Sequence, residues 1–454
     1  MKLIWIDDEW QTDDNLIKLK NDVVSKLRTD GIALEIIPLN SVAEALIRID
    51  EGVNDFQLAI VDIEFKNENY LTYKNLFKKL SQKKIYFIIY SNTMPQPNFD
   101  YGPYCVDFYR KNTESSALIE TVHKYFSCPP FRILHMSDLH YPATEAGIRF
   151  WNKLEKQIEF LHNEKQINLF AICGDLAAKD PAVEVASIGN ELTKFFKRIK
   201  IKDERILVVP GNHDVIWKDF NNNIKSKDPY LAYSQLCNEL FTPTTLAAFK
   251  GQISRKLPIN IDENGLTWHR ALPQPQVSII GICSNVPNAD KKGLGILSQD
   301  NIEYVRNKWE RETKKPNEMR IFLLHHNIFP VLSLHDDDEQ KTIINAGQAL
   351  KVLTKANCDI VLSGHVHRSE IIYYQSSSLD SGFVRNKPLL LIANGTSGGV
   401  VPALDFEKSF NIIDVIKDIR NGNRVITITP YRYKSSDNEW RSDNSDSYTI
   451  PAVI

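Results

Sequence analysis

The sequence predicts a mixed α/β protein with two domains. Along residues 1–126, and again from residue 131 onwards, short apolar runs alternate with longer amphipathic segments, which is the pattern of sheets covered by helices. Pro129 and Pro130 separate the two series, because consecutive prolines end helices and favour extended backbone. The 454 residues are enough for two or three domains of about 100–200 residues. We therefore expect domains at 1–127 and 128–454.

The first series predicts a doubly wound parallel sheet. Its apolar runs are expected to form strands at residues 3–6, 33–37, 58–61 and 85–90. Amphipathic segments between them predict helices at 16–27 and 41–49. Strands that alternate with helices in this way form parallel sheets.

The second series is longer and ends differently. Its apolar runs predict strands at 131–136, 169–173, 206–209, 277–283, 321–324, 360–362 and 389–393, and its amphipathic segments predict helices at 150–163 and 184–199. Near the end, residues 410–415 and 424–430 are predicted to be neighbouring strands of a β-hairpin. The second domain is therefore again α/β, with a late hairpin.

The composition is that of a globular protein and limits the choice of function. There are 55 Lys and Arg residues against 57 Asp and Glu residues, so no global basic field is present to hold a nucleic-acid backbone. The six cysteines contain no C-x-x-C pair, which disfavours a disulfide framework or a thiolate zinc site. Two acids follow the very short first apolar run, and no stretch of 18 or more apolar residues occurs. We expect a cytoplasmic protein that does not span a membrane.

Five polar strings follow apolar runs in the second domain, where α/β sheets place the side chains that bind ligands. In chain order they are Ser137-Asp138-Leu139-His140, Cys173-Gly174-Asp175, Gly211-Asn212-His213-Asp214, Leu323-Leu324-His325-His326 and Gly364-His365-Val366-His367. Residues two apart on extended backbone project to the same side, so two side chains of one string can converge on an ion. Carboxylate, amide and imidazole groups without thiolates suit Mn²⁺, Fe or Zn²⁺ in an open catalytic site. The strings therefore predict a catalytic metal centre.

This ordered set resembles the calcineurin-like metallophosphoesterase superfamily over about residues 131–433. The segment 133–140 is especially similar to the bacterial branch often labelled cyclic-nucleotide phosphodiesterase-like. The resemblance implies a four-layer α/β/β/α sandwich that binds two divalent metal ions. It implies that Asp138, His140 and His367 hold one ion, that Asn212, His325 and His365 hold the other, and that Asp175 bridges both.

The same resemblance assigns the other residues of these strings. His213 would stabilise or protonate the leaving oxygen of the substrate, and Asp214 would orient the His213 imidazole. Either His325 or His326 can be the ligand, and we favour His325, with His326 lining the pocket. The family often has proline after this pair, whereas this chain has Asn327.

Further polar residues follow strand-like runs near the expected mouth of the site. They are Ser284, Asn285, Asn394, Thr396 and Ser397. Two explanations stay open, which are ordinary loop polarity and contact with the substrate.

Polar side chains also end the strands of the first domain. Asp7 and Asp8 follow the first run, Asp62 follows the third, Ser91 follows the fourth, and Lys111 follows a further apolar run. Because the ends of parallel strands meet at one edge of a sheet, these acids, the hydroxyl and the ammonium are expected in one crevice. Clustered carboxylates with one lysine suit Mg²⁺ and a phosphoryl group.

The first domain resembles the receiver domain of two-component response regulators, with 29 residues from Asp62 to Ser91 and 20 from Ser91 to Lys111. The resemblance implies a flavodoxin-like fold in which Asp62 is the phosphoacceptor and Asp7, Asp8 and Asp62 bind Mg²⁺. Ser91 would be the switch hydroxyl, and Lys111 would contact the phosphate. A histidine kinase or a phosphotransfer protein is then the expected partner. The alternative is a receiver-shaped domain that is never phosphorylated and serves for docking or as a homodimer contact.

The motifs predict a dinuclear-metal-dependent phosphoesterase that is regulated by phosphorylation of Asp62. The favoured substrate is a phosphodiester of nucleotide or cyclic-nucleotide type. A nuclease or a phosphoprotein phosphatase is the runner-up, although near-neutral charge and the lack of a clustered basic stripe disfavour nucleic acid. A non-catalytic signalling scaffold that binds a partner when phosphorylated is the alternative from another class. The complete set of metal-site residues argues against that scaffold.

Overall fold

The structure is a computed structural model. It describes residues 1–10, 12–29, 32–50, 56–64, 70–83, 85–93, 101, 104–111, 113–127, 131–141, 145–178, 181–215, 230–241, 267–272, 276–285, 294–315, 318–330, 342–375, 388–398, 408–417 and 423–450. The chain divides into two compact units, built from Met1–Pro129 and from Pro130–Ile416 with Asn423–Ile454. The two prolines of the predicted boundary lie outside the described residues.

The first unit is built around a five-stranded sheet. Its strands are β1 (Lys2–Ile6), β2 (Glu35–Leu39), β3 (Leu58–Val61), β4 (Tyr86–Tyr90) and β5 (Cys105–Tyr109). Its described helices are α1 (Asp14–Thr29), α2 (Val42–Asp50), α3 (Tyr70–Gln82) and α4 (Ser115–Ser127). All strand pairs are parallel and the order is β2-β1-β3-β4-β5. This is the order of the flavodoxin-like doubly wound fold, which confirms the fold predicted for this part of the chain.

Helices cover both faces of this sheet, as the side chains of β1 show. Leu3 and Trp5 belong to a core cluster with α1 and α4, whereas Ile4 and Ile6 belong to a second cluster with α2 and α3. Successive residues of a strand point to opposite faces. A strand between two helical layers therefore needs apolar side chains on both faces. This explains the unbroken apolar run at residues 3–6.

The second unit contains two sheets and five described α-helices. The strands are β6 (Phe131–Met136), β7 (Leu169–Cys173), β8 (Ile206–Val209), β9 (Thr267–Leu272), β10 (Val277–Ile282), β11 (Met319–Leu323), β12 (Ile360–Ser363), β13 (Glu370–Tyr374), β14 (Leu389–Ala393), β15 (Ser409–Lys417), β16 (Arg424–Lys434), β17 (Glu439–Ser442) and β18 (Asp446–Ile450). The helices are α5 (Glu145–Lys165), α6 (Pro181–Arg198), α7 (Leu231–Leu240), α8 (Gln299–Val305) and α9 (Ala346–Lys355). One sheet has the order β13-β14-β12-β11-β10-β9, and the other has the order β17-β16-β15-β6-β7-β8 with β18 paired to β16.

The two sheets pack face to face between helices. Ile279 of β10 and Ile321 of β11 lie in one core cluster with β6, β7 and β8, and that cluster also contains residues of α5 and α6. The next residues along these strands, Ile280 and Phe322, lie in a separate cluster with α8 and α9. The layers therefore follow the order helix, sheet, sheet, helix, as predicted. The strands of the predicted late hairpin, β15 and β16, are neighbours.

Several elements are present that the apolar runs did not predict. They are the strands β9, β13, β17 and β18 and the helices α3, α4, α7, α8 and α9. The described cysteines are all free thiols. Among the described helices, none has the length and apolar content needed to cross a membrane.

Candidate functional site

The five predicted strings lie in loops of the second unit that follow parallel strands. Asp138 follows β6, Asp175 follows β7, Asn212 follows β8, His325 follows β11 and His365 follows β12. The pairs β6 with β7, β7 with β8, and β11 with β12 are all parallel, so each group of loops leaves its sheet at the same edge. The distances between the side chains of these loops show that the loops of the two sheets meet.

The backbone at this site has an uncommon conformation. Five predicted ligands, Asp138, His140, Asp175, His365 and His367, have φ between 40° and 71°, and they are five of the nine non-glycine residues with positive φ among those described. This conformation costs roughly 1–2 kcal/mol for an L-residue, so the surrounding packing must hold it. Gly174 has φ of 81°, and a Cβ there would lie 2.5 Å from Gly211 N. Only glycine fits where these two loops cross.

One group of candidate ligands consists of Asp138, His140, Asp175 and His367, each of which offers an atom within 4.8 Å of the others. His140 Nε2 lies 3.3 Å from His367 Nε2, 3.8 Å from Asp138 Oδ1 and 4.0 Å from Asp175 Oδ2. His367 Nε2 lies 3.3 Å from Asp138 Oδ1. His140 Nδ1 faces Ala177 O at 3.3 Å, an outer contact of the kind that orients a metal-binding imidazole.

The second group consists of Asp175, His325 and His365, with Asn212 beside them. His325 Nε2 lies 3.3 Å from Asp175 Oδ2 and 3.0 Å from Asn212 Oδ1. His365 Nδ1 lies 3.0 Å from Asn212 Oδ1 and 3.2 Å from His325 Nε2. Asp175 belongs to both groups and joins them into one site.

The arrangement fits divalent cations. Asp138 Oδ1 is buried and makes no hydrogen bond to any described residue. Burial opposes charge on Asp138 and Asp175, but the neighbouring histidines hold the pKa of Asp138 at about 2 and that of Asp175 well below its usual value. Burial also opposes protonation of His325, yet Asp175 and Asp138 raise the pKa of His325 to about 9. The two carboxylates thus require positive charge in this space, which metal ions would supply.

His325, and not its neighbour, faces the shared space. Its Nδ1 donates to Cys173 O at 2.7 Å, which leaves Nε2 unprotonated for a cation when the ring is neutral. His326 Nδ1 instead contacts Ser284 Oγ at 2.8 Å, and the His326 ring lies 4.4 Å from the His365 ring. Both histidines are fully buried.

His213 lies beside these groups, and its orienting partner differs from the predicted one. The His213 N–H donates to Asp175 Oδ1 at 2.7 Å, the imidazole stands 5.0 Å from the His140 ring, and His213 Nδ1 contacts Ala178 O at 2.8 Å. Asp214 does not orient this ring. Its Oδ1 accepts the N–H groups of Leu176 at 2.8 Å and Ala177 at 3.0 Å, and its Oδ2 accepts the Gly211 N–H at 2.9 Å. Asp214 therefore ties two ligand loops together.

Replacing Asp214 with alanine should lower the free energy of unfolding of the second unit by roughly 3 kcal/mol, because three N–H groups would lose their acceptor. Burial, followed by the charge of Asp175, raises the pKa of Asp214 to about 7. Urea unfolding of metal-free protein measures the change. The control is Asp446→Ala, which removes an exposed carboxylate on β18. It should change the free energy of unfolding by under about 0.5 kcal/mol. Equal stability of the two variants would contradict the role of Asp214 in tying the two ligand loops together.

The polar residues predicted at the mouth of the site are buried instead. Ser284 contacts His326 as described, and Asn285 Nδ2 donates to Pro210 O at 3.2 Å and Gly211 O at 2.9 Å. Ser397 N donates to Ser137 O at 2.9 Å, and Asn394 and Thr396 are fully buried beside it in the chain. Asn285 thus holds the loop of Gly211 and Ser397 holds the loop of Ser137, and Asn394 and Thr396 are buried in the same segment as Ser397.

Ser137 is a residue of the site that sequence reasoning missed. Its Oγ donates to Asp138 Oδ2 and lies 2.9 Å from Cys173 O. The His365 N–H donates to the same Asp138 Oδ2 at 3.0 Å. Oδ2 is thus occupied by hydrogen bonds, and Oδ1 is left to face the histidines. The sequence signal that could have identified this role is the polar residue immediately before Asp138, which is Ser137.

The strand ends of the first unit also bring their predicted residues together. Lys111 Nζ lies 2.6 Å from Asp62 Oδ2, 2.9 Å from Asp7 Oδ2 and 3.2 Å from Glu9 Oε2. Asp7, Asp8 and Asp62 each offer an oxygen within 4.8 Å of the others. Glu9 is an additional member that the sequence analysis did not single out.

This pocket is buried and charged. Asp7, Asp62, Ser91 and Lys111 are all at least 96% buried, and Lys111 N donates to Ser91 O at 3.4 Å. Burial raises the pKa of Asp7 to about 6 against the opposing effect of Lys111, and Asp62 and Asp7 raise the pKa of Lys111 despite its burial. One ammonium group thus faces several carboxylates. The carboxylates outnumber it, so a cation could neutralise the remaining negative charge.

A comparison with known proteins supports the family that the sequence predicts for the second unit. A family model described as calcineurin-like phosphoesterase matches residues 131–369, more than half of the chain. None of the curated proteins matches. A solved structure from Staphylococcus aureus described as a 5′-nucleotidase is 13% identical with a TM-score of 0.36, and the match covers 72% of this chain and 55% of that one. This chain thus spans about half the length of that protein.

Other similar structures are receiver domains. That of the hybrid histidine kinase CckA is 20% identical with a TM-score of 0.19, over 27% of this chain and 95% of that one. A CheY-like receiver domain protein from Methanospirillum hungatei JF-1 is 17% identical with a TM-score of 0.21, over 28% and 93%. With TM-scores this low, the fold of the first unit is established by its strand order alone.

The match to the family model contains all five polar strings, from Ser137 to His367. The structure gathers the carboxylates, imidazoles and amide of these strings into two joined groups of metal-binding type. The chain belongs to the calcineurin-like phosphoesterase family.

Proposed function

We propose that the second unit hydrolyses a phosphodiester of nucleotide or cyclic-nucleotide type at a centre of two divalent metal ions. The observation that carries the proposal is that Asp175 belongs to both groups of candidate ligands. A shared carboxylate is what a two-metal phosphoesterase site requires. In this proposal residues 128–454 form the catalytic domain and residues 1–127 form the regulatory domain.

Each ligand would bind through the atom that faces the shared space. These atoms are Asp138 Oδ1, His140 Nε2 and His367 Nε2 for one ion, and Asn212 Oδ1, His325 Nε2 and His365 Nδ1 for the other, with Asp175 between them. Oxygen and nitrogen donors without thiolates suit Mn²⁺, Fe or Zn²⁺. When bound, such ions supply Lewis-acid charge to the phosphoryl oxygens and lower the pKa of a water molecule.

His213 is the proposed proton donor to the leaving oxygen. A carbonyl only accepts, so the contact with Ala178 O keeps the proton of the ring on Nδ1. Nε2 is then the ring nitrogen from which a proton would move to an alkoxide or phenoxide. Asp175 Oδ1 fixes the backbone of His213 through the N–H at 2.7 Å and so holds the imidazole beside the candidate ligands.

Replacing His213 with alanine should lower kcat by roughly 10²–10³-fold without changing the bound metal, because a proton donor is lost and no ligand is lost. His325→Ala should instead lower the metal content, because it removes a ligand. Steady-state kinetics together with metal analysis of the purified variants separate the two effects. Loss of metal from the His213 variant would contradict its assignment as a proton donor.

The substrate class rests on the likeness of residues 133–140 to the phosphodiesterase-like branch and on the near-neutral charge of the chain. The decisive assay uses metal-stripped protein reloaded with Mn²⁺, Fe²⁺ or Zn²⁺, with bis(p-nitrophenyl) phosphate and p-nitrophenyl phosphate as substrates. We expect the diester to turn over faster and cyclic nucleotides to compete with it. Preference for the monoester would favour a phosphatase, and no turnover with any metal would favour the scaffold.

We further propose that the first unit regulates this activity. Asp62 would accept a phosphoryl group from a histidine kinase or a phosphotransfer protein, with Mg²⁺ held by Asp7, Asp8 and Asp62. Lys111 would then contact the phosphate, and Ser91 would act as the switch hydroxyl. The support is the convergence of Asp7, Asp8 and Asp62 with the Lys111 ammonium at the strand ends.

A further inference from the structure

Two lysines of the second unit, neither of them a candidate metal ligand, lie on a cluster of aromatic rings. Lys408 Nζ is 3.7 Å from the centre of the Phe150 ring and 6.0 Å from that of Tyr433. Lys153 Nζ, on α5, is 5.8 Å from the same Tyr433 ring and 3.3 Å from Tyr433 Oη. Trp440 completes the cluster, with its ring 5.9 Å from Phe150 and 5.5 Å from Tyr433. We name this feature the Lys153–Lys408 site.

None of the described carboxylates balances the charges of these lysines. Neither lysine forms an ion pair with an acid among the described residues. The acids on the neighbouring strands and turn are paired with arginines instead, namely Asp414 with Arg132, Asp437 and Glu439 with Arg441, and Asp443 with Arg432. Ring faces attract a cation by only about 0.5–2 kcal/mol. Among the carboxylates that the structure describes, none therefore neutralises the two ammonium groups around this ring.

The Lys408 side chain starts from a fixed backbone position. Lys408 O accepts the Tyr433 N–H at 2.9 Å, and Lys408 forms a bridge with Thr396, whose carbonyl accepts the Ser409 N–H at 2.8 Å. On the other side, Lys153 donates to Asn438 Oδ1 as well as contacting Tyr433 Oη. Since both lysines are half-buried and positioned before any ligand arrives, little side-chain entropy is lost on binding.

Burial, and then the charge of Lys153, lowers the pKa of Lys408. Burial disfavours the charged form of a lysine, and a nearby like charge adds to this effect. An anion with several acceptor oxygens can contact ammonium groups that approach from two directions, and lysine is a common phosphate ligand.

We propose that Lys153 and Lys408, which are not among the candidate metal ligands, form a binding site for the phosphate group of a small molecule. The phosphate could come from free inorganic phosphate or from a nucleotide, and the two share the chemistry that the lysines recognise. This inference does not depend on the proposed substrate of the metal centre.

Competitive labelling of the wild-type, metal-loaded protein tests the proposal. Acetic anhydride modifies lysines, and peptide mass spectrometry gives the labelling rate of each one with inorganic phosphate, adenosine 5′-monophosphate, adenosine or sodium chloride at equal ionic strength. We expect phosphate to slow labelling of Lys153 and Lys408 about fivefold when its concentration is four times the dissociation constant. Protection by adenosine monophosphate at lower concentration than by phosphate would identify a nucleotide as the ligand.

Matched controls lie on the same elements. Lys156 of α5 and Lys434 of β16 are exposed, and their labelling rates should not change. In the Lys408→Met variant, phosphate should no longer protect Lys153. Equal labelling of Lys153 and Lys408 with and without phosphate would overturn the proposal, as would equal protection of Lys156 and Lys434 or protection by adenosine alone.

Discussion

Replacing Asp175 with asparagine is expected to remove metal-dependent hydrolysis of an aryl phosphodiester, with kcat lowered about 10³-fold or more. Asp175 is the one side chain common to both ligand groups, with Oδ2 3.3 Å from His325 Nε2 and 4.0 Å from His140 Nε2. The substitution keeps the shape but removes the negative charge between the two proposed ions. It also replaces one oxygen by an amide nitrogen, which cannot bind a metal. The measurement is kcat and metal content after reloading with Mn²⁺.

The control for this variant is Asp446→Asn, which removes an exposed carboxylate from the same unit. It should keep wild-type activity and metal content. The Asp175 variant should keep its fold, because Asn still has an oxygen that can accept the His213 N–H. Far-ultraviolet circular dichroism checks this. An Asp175→Asn protein that binds two ions and turns over at the wild-type rate would refute the two-metal proposal.

Strands that are buried along their whole length were predictable from sequence, whatever their place in the sheet. β7 and β8 are fully buried and appear as unbroken apolar runs, although β8 is the last strand of its sheet. β9, β13 and β17 carry polar or exposed positions and were not predicted. A strand that lacks apolar surroundings on both faces does not produce such a run.

The ligand groups were predictable for a reason of topology. Residues that follow parallel strands of one sheet must emerge at the same edge, whatever the loops do. The role of Asp214 was not predictable, because its partners are main-chain N–H groups of Leu176 and Ala177 in another loop. Sequence patterns identify side chains that carry chemistry, but backbone donors have no signature of their own.

Replacing Asp62 with asparagine is expected to abolish incorporation of ³²P from radiolabelled acetyl phosphate into the protein. Asp62 Oδ2 lies 2.6 Å from Lys111 Nζ and within reach of Asp7 and Asp8, so it has the cation site and the ammonium that phosphoryl transfer requires. Asparagine lacks the nucleophilic oxygen anion. Wild-type protein should be labelled in the presence of Mg²⁺, and a chelator should prevent labelling. Asp107→Asn, an exposed carboxylate on β5 of the same unit, is the matched control and should be labelled normally.

The same pair of variants separates phosphorylation from regulation. Coupling between two sites commonly amounts to about 1–3 kcal/mol, so acetyl phosphate should change the phosphodiesterase activity of the wild type by roughly 5–150-fold in one direction. The Asp62→Asn variant should not respond, and the Asp107→Asn variant should respond as the wild type does. Labelling without a change in activity would mean that the phosphorylated unit does not regulate the metal centre. Absence of labelling in the wild type would favour docking or homodimerisation, because the ion pairs around Lys111 would then serve structure alone.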